Sequence, residues 1–295
     1  MRIFLTGATG FVGTALLPEL INAGHQVIGL ARSDAGAQAI TAAGGIPHRG
    51  DLEDSDRLKS GAAHADAVIH TAFVHDFSRF QEVCALDRRV IETLGAALAG
   101  TQRPLLITSG TGMGTAIPGQ PATEDHFDIH HPNPRAASEI AGAGVTARGG
   151  DVRVIRLPQV HDPVKQGLIT YLVALAREKG VSAYVGDGTN RWASVHRAAA
   201  AQVYRLALEK GRAGARYHAV AETGVPLRAI AEAIGKALKI PVVAKAPAEA
   251  AAHFGWLAMF AGMDMPASSA LTQERLGWRP SGPSLIEDLE HLRLA

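Results

Sequence analysis

Cysteine is nearly missing from this chain: Cys84 is the single one in 295 residues. One thiol excludes an internal disulfide and fits a reducing compartment. Its neighbours Val83, Ala85 and Leu86 mark a helix core position rather than a nucleophile. An excess of either charge is missing too. Lys+Arg 29 against Asp+Glu 28 leaves a formal +1, which gives no electrostatic footing for nucleic acid or an acidic membrane surface. No apolar run suits a bilayer, since the most weakly charged stretch, Ala250 to Met263, is short and contains His253. The opening run Ile3-Phe4-Leu5 is too short for a signal peptide, so a soluble, cytoplasmic protein is expected. There is no internal repeat of solenoid period. Aromatic residues make up only 5%, and tyrosine is absent between Met1 and Thr170.

What is present begins at once. Ile3-Phe4-Leu5 runs into Thr6-Gly7-Ala8-Thr9-Gly10-Phe11-Val12-Gly13 and then into an apolar helix pattern through Leu16, Leu17, Leu20 and Ile21. A strand, a glycine-spaced turn and a helix are what a doubly wound fold uses to hold a dinucleotide. Gly7 permits the turn, Gly10 lets the backbone approach a pyrophosphate, and Gly13 lets helix and strand pack closely. The helix amides then face the phosphates. Val27-Ile28-Gly29-Leu30 predicts a second, buried strand, followed by Arg32 and Ser33 and by no carboxylate until Asp34. An acidic residue there would bind the ribose 2′-hydroxyl, whereas Arg accommodates a 2′-phosphate, so NADP(H) is expected over NAD(H). The strand pattern continues through Pro47–Leu52, with Asp51 placed at the adenine edge, through Ala67–Ala72 and through Leu105–Gly110. Ligands bind beyond the carboxyl ends of such strands, which puts Ser109 where a substrate would be met. His70 reads as a packed core histidine. Strand-helix alternation is clear to about Leu157, and the remainder is punctuated by Gly186, Pro226, Pro241, Pro266 and Pro280. An α/β fold with a nucleotide-binding lobe and a smaller, loop-rich lobe is predicted.

With these residues the chain resembles the short-chain dehydrogenase/reductase superfamily, in its extended or atypical epimerase/dehydratase-like branch. The likeness is carried by Thr6–Gly13, Gly50-Asp51-Leu52, Val68-Ile69-His70-Thr71-Ala72, Ile107-Thr108-Ser109 and Arg156-Leu157-Pro158. Tyr184-Val185-Gly186-Asp187-Gly188 running to Arg191 extends it, as does Leu276-Gly277-Trp278-Arg279-Pro280 near the end. The resemblance spans nearly the whole chain. It implies a Rossmann-type doubly wound parallel sheet over residues 1–157, later strands drawn from 190–222, and a smaller substrate-binding lobe over 158–295. It also implies that NADP(H) lies against Gly7, Thr9, Gly10, Phe11, Val12 and Gly13, with Arg32, Ser33, Asp51 and Leu52 at the adenosine end. Thr71, Ala72, Phe73, Thr108, Leu157 and Pro158 would face the rest of the cofactor, while Ser109, Arg191 and Trp192 would face substrate. A homodimer through the two long helices after the fourth and fifth strands is the corresponding family expectation.

The resemblance breaks at the chemistry. Family members use a Ser or Thr after the fifth strand, a Tyr, and a Lys four residues later. Here the hydroxyls are Ser109 and Thr111, but matching Ser138 to the family's serine puts Arg135 in place of Tyr and Glu139 in place of Lys. Asp87 replaces the family's helix Asn. A guanidinium neither gives nor takes a proton near neutral pH, and a carboxylate at the Lys position would raise the pKa of a phenol. At this spacing Arg135 and Glu139 are expected to pair on a helix face, worth about 0.3–0.5 kcal/mol. A proton must then come from elsewhere. His130, His131, His161 (with Asp162 beside it) and Tyr171 are the candidates, with Ser109 or Thr111 polarising the oxygen. Adjacent His130 and His131 lack metal-ligand spacing, and no metal is expected. The segment His253–Phe260 concentrates aromatics and Met, as a core helix, a cleft lining or a partner surface.

The expected function is NADP(H)-dependent oxidoreduction of a small carbonyl or imine compound. A sugar epimerase or dehydratase, and a non-catalytic NADP(H) sensor, are the readings left open beside it.

Overall fold

The structure is a computed structural model that describes residues 1–294. β1 (Arg2–Thr6), α1 (Gly13–Asn22), β2 (Gln26–Ala31), α2 (Asp34–Ala42), β3 (Ile46–Arg49), α3 (Ser55–Ala63) and β4 (Ala67–His70) alternate as the hydrophobic pattern predicts. α4 (Phe80–Ala97), β5 (Leu105–Gly110), α5 (Ala136–Ala147) and β6 (Val152–Leu157) complete the first lobe. Every strand pair in it is parallel. β1 and β4 are covered on both faces, so after Arg2 they read as unbroken apolar runs rather than alternating ones. α4 buries Val83, Cys84, Asp87, Val90, Ile91 and Leu94, one stripe at helical spacing with a carboxylate in it.

β7 (Gln159–His161), α6 (Ile169–Lys179), β8 (Ser182–Val185), β9 (Arg191–His196), α7 (Arg197–Lys210) and β10 (Arg216–His218) follow. β10 returns to the main sheet beside β6, giving the order β3-β2-β1-β4-β5-β6-β10 with the order reversing at β1/β4. That reversal is where a doubly wound sheet opens a crevice. β11 (Glu222–Pro226), α8 (Leu227–Leu238), β12 (Val242–Lys245), α9 (Ala250–Phe254), α10 (Ala258–Ala261), α11 (Ala270–Leu276) and α12 (Leu285–Glu290) build the second lobe. Two small sheets, β11-β9-β7 and β12-β8, support it. Its core gathers Trp192, Ile230, Ile234, Phe254 and Leu285. α11 ends at Gly277, whose φ of 66° stops the helix and turns Trp278 into the core of the nucleotide lobe. The chain end therefore fastens the second lobe to the first. Among the described residues no helix is long and apolar enough to cross a membrane.

Cys84 lies buried in the α4 stripe, and burial pushes its thiol up to about 11. Because only the thiolate attacks, native protein at pH 8 is expected to resist iodoacetamide, while protein in urea takes up one equivalent, read by intact mass. Prompt labelling of the folded chain would contradict the packing of α4.

Candidate active site

The cofactor cradle is built from backbone contacts too close for side chains. Gly7 has φ +73°, and a Cβ there would lie 2.6 Å from the Ala72 amide nitrogen and 2.7 Å from Thr71 Oγ1. A Cβ on Gly13 would sit 1.9 Å from the Gly7 carbonyl oxygen. Gly10 would meet only that same oxygen, at 3.1 Å, and otherwise faces open space. Thr9 and Gly10 are exposed, so the N-terminal mouth of α1 opens to solvent with its dipole outward. Thr71 donates to the Thr6 carbonyl at 2.9 Å and locks the end of β4 under the turn.

At the end of β2, Ser33 caps α2 by accepting from the Gly36 amide at 3.1 Å. The Arg32 side chain is 76% exposed, with Asp51 4.0 Å away. Leu52, Leu157 and Pro158 are half-buried along the same carboxyl edge. The donor set (helix-mouth amides, a bare glycine and a loosely held guanidinium) fits a dinucleotide. Thr108 is an exception. Its hydroxyl bonds the Tyr204 hydroxyl at 2.7 Å and donates to the His70 carbonyl at 2.8 Å, a structural engagement that leaves it little to offer a cofactor.

The two replaced catalytic positions do not pair with each other, correcting the expectation of a surface i,i+4 bridge. Arg135 turns inward: Nη1 donates to Asp87 at 2.6 Å and to Ser138, Nη2 donates to the Thr108 carbonyl at 2.8 Å, and the guanidinium lies 4.2 Å over the Phe73 ring. Asp87 also accepts from Ser138 and meets His70 at 3.0 Å, and His70 in turn meets Thr6 Oγ1 at 2.6 Å. Burial opposes the charge on Asp87, but the Arg135 guanidinium and the His70 contact outweigh it and hold the carboxyl below its usual range.

Glu139 is buried among cations. Arg156 donates to both its oxygens at 2.7 and 2.9 Å, and Arg216 donates to it at 2.8 Å. Burial again works against the charge, and hydrogen bonds from Arg156 and then Arg216 keep the pKa lowered. Neither position offers a titrating group near neutral pH.

Of the candidate donors, Ser109 and Thr111 lie at the end of β5, both buried; Ser109 Oγ makes no hydrogen bond of regular geometry but lies near enough to Glu139 to add to the lowering of that carboxyl. His131 is half-buried and its Nδ1 accepts the Asn133 amide at 3.1 Å, which leaves the proton of the neutral ring on Nε2. His130 is exposed, and Tyr171 is 36% exposed on α6. His161 is overturned as a catalyst. It is 0% exposed, its Nδ1 bonds Asp288 of α12 at 2.6 Å, and neighbouring Asp162 instead accepts the Val164 and Lys165 amides and pairs with Arg197.

Trp192 is overturned as a substrate contact. It is 0% exposed in the core of the second lobe, its indole donating to the Met263 carbonyl at 3.2 Å. Arg191 is partly exposed, but Asp264 takes its Nη2 at 2.7 Å and Nε at 3.1 Å.

Two features escaped the sequence reading. One is the chain Thr6–His70–Asp87–Arg135, whose only sequence signal was a carboxylate on the apolar stripe of α4. The other is an aromatic group joining Phe73, Phe77 and Phe80 to Tyr171, Trp256 and Phe260, drawn from segments far apart in the chain.

A strand order that reverses at β1/β4, with a tight glycine turn opening onto the mouth of α1 beside it, defines a protein of the doubly wound nucleotide-binding class. The chain belongs to the NAD dependent epimerase/dehydratase family, whose model matches residues 3–221. It is 49% identical over 290 residues to uncharacterized protein C2A9.02 of Schizosaccharomyces pombe, covering 98% of each chain. It is 42% identical over 293 residues to uncharacterized protein YLL056C of Saccharomyces cerevisiae, again covering 98% of each. In fold it is similar to DesIV, a dTDP-glucose 4,6-dehydratase from Streptomyces venezuelae solved with NAD bound. The TM-score is 0.78 at 22% identity, over 98% of this chain and 95% of that one.

The buried cluster has a pH signature. His218 is held neutral: Nδ1 donates to the Ser268 carbonyl at 2.8 Å and Nε2 faces Arg156 at 3.2 Å, while burial and then the Arg156 charge bring its pKa down to about 4. The unfolded chain takes up this proton near pH 6.5 and the folded one does not. Its contribution is therefore complete above that value and is lost as pH falls toward about 4. The urea midpoint should decline across that window, and a His218→Gln variant should decline less steeply. Equal slopes would show that the ring titrates normally.

Proposed function

We propose that this protein is an NADP(H)-dependent oxidoreductase that passes hydride to or from a small carbonyl or imine compound. The observation that carries the reading is the cradle itself. A turn too tight for side chains opens onto the mouth of α1, with Arg32 exposed and only loosely held at the ribose end. A bound nicotinamide supplies or accepts the hydride, and the chain has to bind, orient and handle one proton.

The amides of the turn hold the diphosphate, and Arg32 meets the 2′-phosphate as Ser33 fixes the loop behind it. The end of β5 supplies Ser109, with Thr111 beside it, as the hydrogen-bond donor to the substrate oxygen. His131 Nε2 carries a proton a few residues before Arg135, which makes it the preferred proton source. The ion pair that fills the tyrosine position counts against an epimerase or dehydratase, since those reactions need an active base. That same ion pair favours, as second reading, a protein that senses NADP(H) without turnover.

Fluorescence titration should give tighter binding of NADPH than NADH, and Arg32→Ala should remove about 10- to 100-fold of that difference, the worth of a charged hydrogen bond. Equal affinity of the wild-type chain for both would remove the NADP(H) preference. NADPH consumption with a panel of aldehydes, ketones and imines tests the chemistry. Ser109→Ala is expected to lower kcat by about 100-fold, as for loss of one donor to a developing charge, with NADPH affinity kept. Tight NADPH binding with no turnover of any compound would leave the sensor reading standing.

A further inference from the structure

Aromatic rings are scarce in this chain (Phe 8, Tyr 4, Trp 3), yet Phe73, Phe77, Phe80, Tyr171, Trp256 and Phe260 gather at one place, at the carboxyl edge of the sheet where the two lobes face each other. The group starts at the replaced tyrosine position. The Arg135 guanidinium lies over Phe73, and the Phe73 ring meets His75 at 5.4 Å and Phe80 at 6.4 Å. From there Phe77 leads outward, 5.8 Å from Phe80, and crosses to the second lobe. It stacks on Trp256 at 4.9 Å with the planes 21° apart, and meets Tyr171 of α6 at 6.0 Å and Phe260 of α10 at 6.5 Å.

Phe260 packs against the core of the second lobe, but the group reaches the surface. Trp256 is 46% exposed and nearby Met259 is 67% exposed, while the other tryptophans, Trp192 and Trp278, are fully buried. Phe77 sits on a short turn of 3-10 helix (Phe77–Arg79) fixed mainly by the Asp76 carboxylate, which accepts from the Ser78 amide at 3.0 Å and from its hydroxyl at 2.6 Å. Exposed Trp256 and Tyr171 close directly against half-buried Phe77 and Phe260, an apolar contact between separate segments of the kind on which another ring can stack.

The charges around this contact speak to what enters it. Arg135 is held by Asp87 and Arg191 by Asp264, so neither guanidinium is free to take a phosphate. Lys165, exposed and acting on His75, is a single rim cation, too little for a diphosphate.

We propose that Phe77, Tyr171, Trp256 and Phe260 form an aromatic clasp that opens at the Phe77–Trp256 stack and closes on a flat, uncharged, apolar carbonyl compound. The clasp selects this class of substrate against nucleotide-linked sugars. It rests on the oxidoreductase reading above and names the substrate class for that same site. In the clasped state the substrate ring replaces one face of the Phe77–Trp256 contact, and its carbonyl points inward past Phe73 toward the cofactor mouth.

The test is calorimetric binding to the full chain in the presence of NADP+, which avoids any need for turnover. Naphthyl methyl ketone is the neutral flat probe and dTDP the diphosphate probe. The ketone should bind the wild-type chain and dTDP should not displace it. Phe77→Leu and Trp256→Ala should each weaken the ketone by about 2- to 12-fold, the worth of one aromatic pair. NADP+ affinity and the circular dichroism spectrum should stay as in the wild type, and Phe77→Leu keeps apolar bulk should the smaller side chain at Trp256 disturb folding.

Unchanged ketone affinity in both variants would overturn the clasp, as would tighter binding of dTDP than of the ketone. NADP+ binding with no ketone binding would overturn the clasp and leave the oxidoreductase reading intact. Failure of NADP+ to bind would overturn both.

Discussion

Glu139 has no contact with solvent and three charge-assisted hydrogen bonds, from Arg156 twice and from Arg216 once. A lone carboxylate in that position would be untenable, because the desolvation cost is several kcal/mol per ion unless its partners are in place. The arrangement therefore works as a joint with several members. Glu139 belongs to α5, Arg156 to β6 and Arg216 to β10, so the joint sets the last strands of the sheet against the helix that carries the replaced catalytic positions. Arg156 has guanidinium protons to spare, and they go to the carbonyls of Thr123, Glu124 and His126. That loop is in turn held by Glu124, whose carboxylate accepts the amide and hydroxyl of Thr272 at 2.8 and 2.9 Å. The loop thus hangs from two buried carboxylates, Glu139 through Arg156 and Glu124 directly.

Asp87 plays the same part on the other side of α5. It collects Arg135, Ser138 and His70, and through His70 reaches Thr6 at the end of β1. In a network of this kind each bond polarises the next, and a missing member leaves charges stranded in low dielectric. The residues standing where proton transfer would be done have been absorbed into load transfer between helix and sheet. An unbroken polar chain now runs under the cofactor mouth from Thr6 through His70 and Asp87 to Arg135.

The parts that were legible in the sequence are those whose cause is local. Gly7, Gly10 and Gly13 announce themselves because turn, helix mouth and close approach fall within a few residues, and the strand runs of β1, β2, β4 and β5 need only their own composition. Arg135 and Glu139 were misread because spacing reports a shared helix face and says nothing about what lies opposite. Their partners are Asp87 and Arg156, 48 and 17 residues away, and only the fold brings them near. His161 and Trp192 fail for a related reason. His161 follows a motif expected to face the cofactor and Trp192 one expected to face substrate, but on β7 and β9 they are taken up by Asp288 of α12 and by the second lobe's core. The segment His253–Phe260 reads in sequence as a core helix, a cleft lining or a partner surface. Gly255, at φ 55°, breaks it, so Phe254 and Leu257 face inward while Trp256 faces out.

The two lobes are therefore joined by unlike materials on the two sides of the cleft. On one side the contacts are directional: Glu124 to Thr272 and the bridge Ala122–Ala267. Hydrogen bonds of fixed length cannot slide without breaking, and a buried polar group left open costs about 1–3 kcal/mol. On the other side the contact is between rings, and apolar contact has no preferred direction and loses little when planes shift by a fraction of a ring. In the clasp proposed above, the aromatic side is the one that moves and the polar side is the one that holds. Variation in the size of what it accepts must accordingly be absorbed by Phe77 and its neighbours rather than by the loop that Arg156 holds.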